Sequence, residues 1–226
     1  MQRQDIRVTS SHGGELDCYL VVPDGNTRVP AMVIASAVHG VDRDIRQIAD
    51  EIASYGYIVA APDLFSRSVP GPLERNDDRT KSRSQPRLQK IKEGEADMTD
   101  TLAVVRKHPS FNGRAAVMGF CYGGPYAILG PKRLGFEAGI SCHGTQLLDY
   151  IGELEGVTQP VCIIWGEEDH AAPPPVQKAY REIDARMKNV EVHIFPGVLH
   201  GYMMREGGKA YSQKTRDFTT GRVRAI

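Results

Sequence analysis

Three residues of this chain have side chains, and neighbours in sequence, that suit acyl transfer. Cys121 stands in Gly119-Phe120-Cys121-Tyr122-Gly123, at the end of the apolar run "RAAVMGF" and ahead of a segment able to start a helix. Small residues two before and two after a nucleophile let strand and helix approach closely, so the side chain can occupy the sharp turn between them. A helix N-terminus at that point offers backbone N–H groups and the positive end of a dipole, both of which favour an anion. Taken alone, the motif equally suits an inert cysteine in a glycine-rich bend. Asp169 lies in "IIWGEEDHAAPP" and His200 in "VHIFPGVLHGY", each in the loop after a strand-like run. An aspartate there is often a turn or cap residue, and a histidine before glycine is often only part of a loop. Together the three give nucleophile, acid and histidine in the chain order 121, 169, 200.

The elements around them set the fold expectation. Short β-rich runs alternate with helical ones: "ELDCYLVVP", "PAMVIAS", then "DRDIRQIADEIASYG" with Ile45, Ile48, Ala49, Ile52 and Ala53 at helical spacing and Gly56 as its stop. Strand "YIVAAPD", helix "ADMTDTLAVVRKHP" and strand "RAAVMGF" follow, with a helix starting near Tyr122. Strands "FEAGISC" and "PVCIIWG", helix "PPVQKAYREIDARM", strand "VEVHIFP" and a short helix near Ala210 to Phe218 complete the series. This alternation predicts an α/β fold, a single mostly parallel sheet with helices on both faces and chemistry at the carboxyl ends of the strands. One domain, 1–226, is expected, with a polar, proline-bearing excursion at about 66–94 serving as a cover.

Composition narrows the function. The chain has 28 basic and 28 acidic residues, so no global charge favours nucleic acid or a membrane surface. Its apolar runs are far shorter than the roughly 20 residues of a spanning helix. The start of the chain lacks a secretory apolar core, which predicts a cytoplasmic protein. Four cysteines without CxxC spacing are expected as free thiols.

The order nucleophile, acid, histidine is the one α/β-hydrolases use. Joined to "FCYGG", "YIVAAPDLFSR", "RSVPG", "WGEEDHAAP" and "FPGVLHGY", it makes the chain resemble the dienelactone hydrolase (carboxymethylenebutenolidase) family from Ile6 to about Phe218. The resemblance implies an α/β-hydrolase fold with Cys121 as nucleophile, His200 as base and Asp169 as the residue that orients it. It places the oxyanion hole at the backbone N–H groups of Tyr122 and Val38. The family's loop after this strand usually carries a glutamate that contacts the resting thiol; here it reads Ser36-Ala37-Val38-His39-Gly40, with Ala37 in the glutamate's place. His39 stands where the family tends to have an aromatic residue, and is a candidate pocket lining. Arginines hold the substrate carboxylate in the family. The matching positions are Arg79, with Arg83 as alternative, and Arg205 beyond the histidine. The family's long C-terminal amphipathic helix is absent from "YSQKTRDFTTGRVRAI".

The expected activity is hydrolysis of a small ester or lactone, dienelactone-like and with a carboxylate as a possible handle, through a thioester acyl-enzyme. A thiolate leaves readily, which suits activated esters and enol lactones better than amides. No cofactor and no metal are expected, although His39, His143, His170 and His200 all stand near strand ends. Neither nucleic acid nor membrane is an expected partner, and monomer and homodimer are both compatible with the sequence. The alternative reading is a catalytically weak relative that binds a small carboxylated ligand, motivated by Ala37.

Overall fold

The computed structural model describes residues 1–25 and 27–225. Among them eight strands form one sheet: β1 (Gln2–Thr9), β2 (Glu15–Val22), β3 (Val29–Ala35), β4 (Ile58–Pro62), β5 (Phe111–Phe120), β6 (Ala138–Cys142), β7 (Val161–Gly166) and β8 (Val190–Phe195). Their order is β1-β2-β4-β3-β5-β6-β7-β8. β2 runs antiparallel to β1 and β4, whereas β4 is parallel to β3, and β7 is parallel to both β6 and β8. The expected mostly parallel α/β sheet is therefore what the chain forms. By contact density the chain divides into two compact units, Met1–Ala116 and Val117–Ile226.

In the first unit β3 and β4 are apolar almost throughout, as strands covered on both faces must be. Helix α1 (Arg43–Ser54) starts where the Asp42 carboxylate accepts from the Ile45 N–H at 3.0 Å, and it buries the five apolar residues whose spacing announces it. The polar stretch 66–94 is not a plain excursion: it holds α2 (Arg79–Arg83) and the first turns of α3 (Arg87–Arg106). The sequence pattern places that longer helix only from Ala96. Its first turns expose polar side chains and bury just Ile91 and Gly94, which leaves no apolar stripe to detect. β1 escapes the pattern for a similar reason, being an edge strand whose one buried residue is Val8.

In the second unit β6 and β7 are wholly buried, in register Gly139↔Val161. After β5 come a 3-10 turn at Cys121–Gly123 and a short helix, α4 (Tyr126–Leu129). Helix α5 (Pro174–Arg186) joins β7 to β8. The last helix, α6 (Gln213–Val223), lies further along than the sequence suggests. It begins at Ser212, whose hydroxyl caps the Thr215 N–H, and its inward residues Thr215, Thr219 and Val223 are mostly polar. Among the described residues no helix is long and apolar enough to cross a membrane.

Candidate active site

β5 ends at Phe120, and the chain turns abruptly at Cys121, whose φ of 49° is left-handed. For a side chain with a Cβ this conformation costs about 1–2 kcal/mol. The surroundings enforce it. A Cβ on Gly119 would lie 2.1 Å from the Gly123 carbonyl oxygen, so only glycine lets the strand pass this close to the turn that follows it. The Cys121 carbonyl accepts from the Gly124 N–H at 3.1 Å and from the Thr145 N–H and hydroxyl at 2.9 and 3.2 Å. Cys121 is half-buried and free. The other thiols are buried: burial pushes Cys18 and Cys162 up to about 12 and raises Cys142 as well, so none of the three is a ready nucleophile.

Asp169 and His200 come from the loops after β7 and β8. Those loops are tied together by the Glu167 N–H to the Phe195 carbonyl at 2.8 Å and the Glu168 N–H to the Val198 carbonyl at 3.1 Å. Asp169 is buried, and one of its oxygens also accepts from the Ala171 N–H at 2.8 Å. His200 Nδ1 lies 2.8 and 2.9 Å from the two carboxylate oxygens. That contact engages Nδ1 and leaves Nε2 as the ring nitrogen not bonded to Asp169. Burial alone would lower the imidazole's proton affinity. The hydrogen bonds to Asp169, with the electrostatic influence of Asp169 and Cys121, outweigh it and push His200 up to about 10. Within the second unit, then, the structure brings Cys121, Asp169 and His200 together.

Tyr122 is buried in the turn beside Cys121. Arg205 is exposed, with a φ of 55° and its carbonyl bonded to the Gly208 N–H at 2.7 Å. In the first unit Ala37 is buried, while Val38 and His39 are half-buried. The Ala37 carbonyl accepts from the Gly40 N–H at 2.9 Å and that of His39 from the Leu73 N–H at 2.9 Å. Arg79 is exposed and pairs with Asp77 at 2.6 Å. Arg83 is fully buried. Its guanidinium lies 4.2 Å over the Phe65 ring and donates to the carbonyls of Val38 at 3.2 Å, Gly71 at 2.9 Å, and Val69.

Of the four histidines near strand ends, three gather in the second unit. The His200 ring lies 4.8 Å from that of His143 and 4.7 Å from that of His170. Asp169, His170 and His200 offer ligand atoms within 4.8 Å of one another, as do Cys162, Glu191 and His193. In the first trio Asp169 and His200 are already bonded to each other, and in the second Glu191 is held by Arg222 and His193. Sequence reasoning missed Thr145 as a neighbour of the cysteine. The only signal was its place just beyond the carboxyl end of a buried strand.

The family model for the dienelactone hydrolase family matches residues 16–221. The chain is 27% identical over 199 residues to carboxymethylenebutenolidase 1 of Cupriavidus pinatubonensis, covering 87% of this chain and 85% of that one. It is 25% identical over 195 residues to carboxymethylenebutenolidase of Pseudomonas putida, covering 85% and 83%. Its fold matches the crystal structure of a putative dienelactone hydrolase from Klebsiella pneumoniae with a TM-score of 0.81 at 19% identity, covering 100% of this chain and 98% of the other. With a match spanning residues 16–221, nearly its whole length, the chain belongs to the dienelactone hydrolase family.

Proposed function

We propose that the protein hydrolyses a small ester or lactone by acyl transfer through Cys121, with His200 moving the protons and Asp169 orienting His200. The observation that carries this is the pairing of Asp169 with His200 Nδ1 at 2.8 and 2.9 Å, in the same unit as a cysteine held in a left-handed turn whose presence raises the proton affinity of His200. Family membership and relatives named carboxymethylenebutenolidase support a lactone as the substrate class.

Cys121 gives its proton to His200 Nε2, and the sulfur attacks the substrate carbonyl. The backbone N–H of Tyr122, the residue after the nucleophile, is the proposed donor to the developing oxyanion. Collapse expels the alcohol or enol oxygen, which takes the proton from His200 and leaves a thioester. His200 is now neutral, and the acylated sulfur no longer raises the imidazole's proton affinity. Water then loses a proton to His200 and attacks the thioester. The thiolate departs and a carboxylic acid is released. With Ala37 where the resemblance expects a glutamate, His200 is the thiol's base in this scheme.

Burst kinetics with p-nitrophenyl acetate on the wild type, Cys121→Ala and Cys121→Ser test the reading. The expected result is a burst followed by slower turnover, absent from Cys121→Ala. Release no faster than the Cys121→Ala background sinks it and favours the alternative, a pocket that binds a small carboxylated ligand without cleaving it.

A further inference from the structure

We propose that His143 is a positioning residue for His200, and that residues 143–145, the loop leaving β6, hold base and nucleophile as one unit. The inference rests on the reading of Cys121 and His200 as the reacting pair. β6 and β7 are paired through Cys142↔Ile164, and the ladder continues for one more bond, from the His143 N–H to the Ile164 carbonyl at 2.8 Å. There the backbone flips to a φ of 41°. A histidine rarely adopts that conformation, and here it accompanies a ring packed against Phe120, His200 and Tyr202. His143 is 1% exposed, and its ring stands at 73° to that of His200 with centroids 4.8 Å apart and lies 5.4 Å from that of Tyr202 at 86°. Those edge-to-face contacts restrict rotation of His200 about the bond that aims Nε2.

The next two residues grip the other partner. The Gly144 carbonyl accepts from Trp165 Nε1 at 2.9 Å, which anchors the loop to β7. A Cβ on Gly124 would lie 2.4 Å from Gly144 Cα, so the loop sits directly against the turn that carries the cysteine. Thr145 then donates twice to the Cys121 carbonyl, at 2.9 and 3.2 Å. Three consecutive residues thus touch the base, the turn and the nucleophile in sequence. Misplacing reacting groups by about 1 Å can cost on the order of a hundredfold in rate, which is why one rigid bracket for both matters. The titratable groups facing the two rings are Cys121, Asp169 and His170 around His200, and Tyr202, whose hydroxyl pairs with Thr219 at 3.0 Å, beside His143.

The test measures two things on the wild type, His143→Ala, His143→Phe and Thr145→Val: kcat and KM for p-nitrophenyl acetate, and the pH dependence of Cys121 alkylation by iodoacetamide, read by intact mass. His143→Ala is expected to lower kcat by about tenfold or more with KM nearly unchanged, and to move the alkylation profile, because His200 no longer meets the sulfur squarely. His143→Phe restores a ring and should recover most of both. Thr145→Val loses one of two bonds and should show a smaller fall in kcat. Alkylation requires no turnover: a wild type inert toward the ester whose profile still shifts in His143→Ala retains the positioning role while the esterase reading falls. A folded His143→Ala with wild-type kcat and alkylation profile overturns the inference. Should His143→Ala fail to fold, unchanged kcat and profile in Thr145→Val overturn it instead.

Discussion

His200 is where sequence, geometry and electrostatics meet in one residue. Asp169 and Cys121 push it up to about 10 against the effect of burial, so the folded state binds its proton more tightly than the unfolded chain, where a histidine titrates near 6.5. The sign follows from linkage: the stabilisation is fully present below pH 6.5 and is lost as pH rises toward about 10. Denaturant midpoints measured across that window should therefore fall faster for the wild type than for His200→Gln; parallel curves contradict the pairing. Cys121, Asp169 and His200 were legible because each lies in a short local pattern, glycines around a turn or a loop after an apolar run. His143 and Thr145 were not, because their importance comes from contacts with Cys121 and His200, 22 to 57 positions away by residue number, which no local pattern carries.

At the scale of elements, legibility followed burial. α1 and the strands β3, β4, β6 and β7 bury apolar residues at regular spacing and could be read directly. β1, the start of α3 and the end of α6 could not, since their inward faces are short or polar. Arg83 is the strongest example. As an arginine in a polar stretch it invites a role at the surface, yet it is 0% exposed and ties Val38, Val69 and Gly71 through their carbonyls. Its neighbour in the pair of candidates, Arg79, stays outside on Asp77. Desolvation lowers the proton affinity of Arg83, opposed by Asp63 at 3.8 Å. Arg83→Met leaves three carbonyls and a buried carboxylate without their cation, and should destabilise the fold by about 3–5 kcal/mol in urea denaturation. A loss below about 1 kcal/mol, the value of an exposed pair, contradicts a structural role for it.

Taken as a whole molecule, the chain balances 28 basic against 28 acidic residues, so no net field selects a polyanionic partner and specificity has to come from local chemistry. The mostly parallel order of the sheet was legible from the alternation of runs, as was its use of strand ends: the loops after β5, β7 and β8 deliver the cysteine, the aspartate and the histidine. The central claim, a covalent acyl group on one sulfur, is tested most directly by mixing the enzyme with p-nitrophenyl acetate, quenching in acid within the burst, and mapping the adduct by peptide mass spectrometry. The prediction is one acetyl group on the peptide containing Cys121, lost on longer incubation and missing from Cys121→Ala. An unmodified Cys121 peptide during the burst, or an acetyl group carried elsewhere, contradicts it.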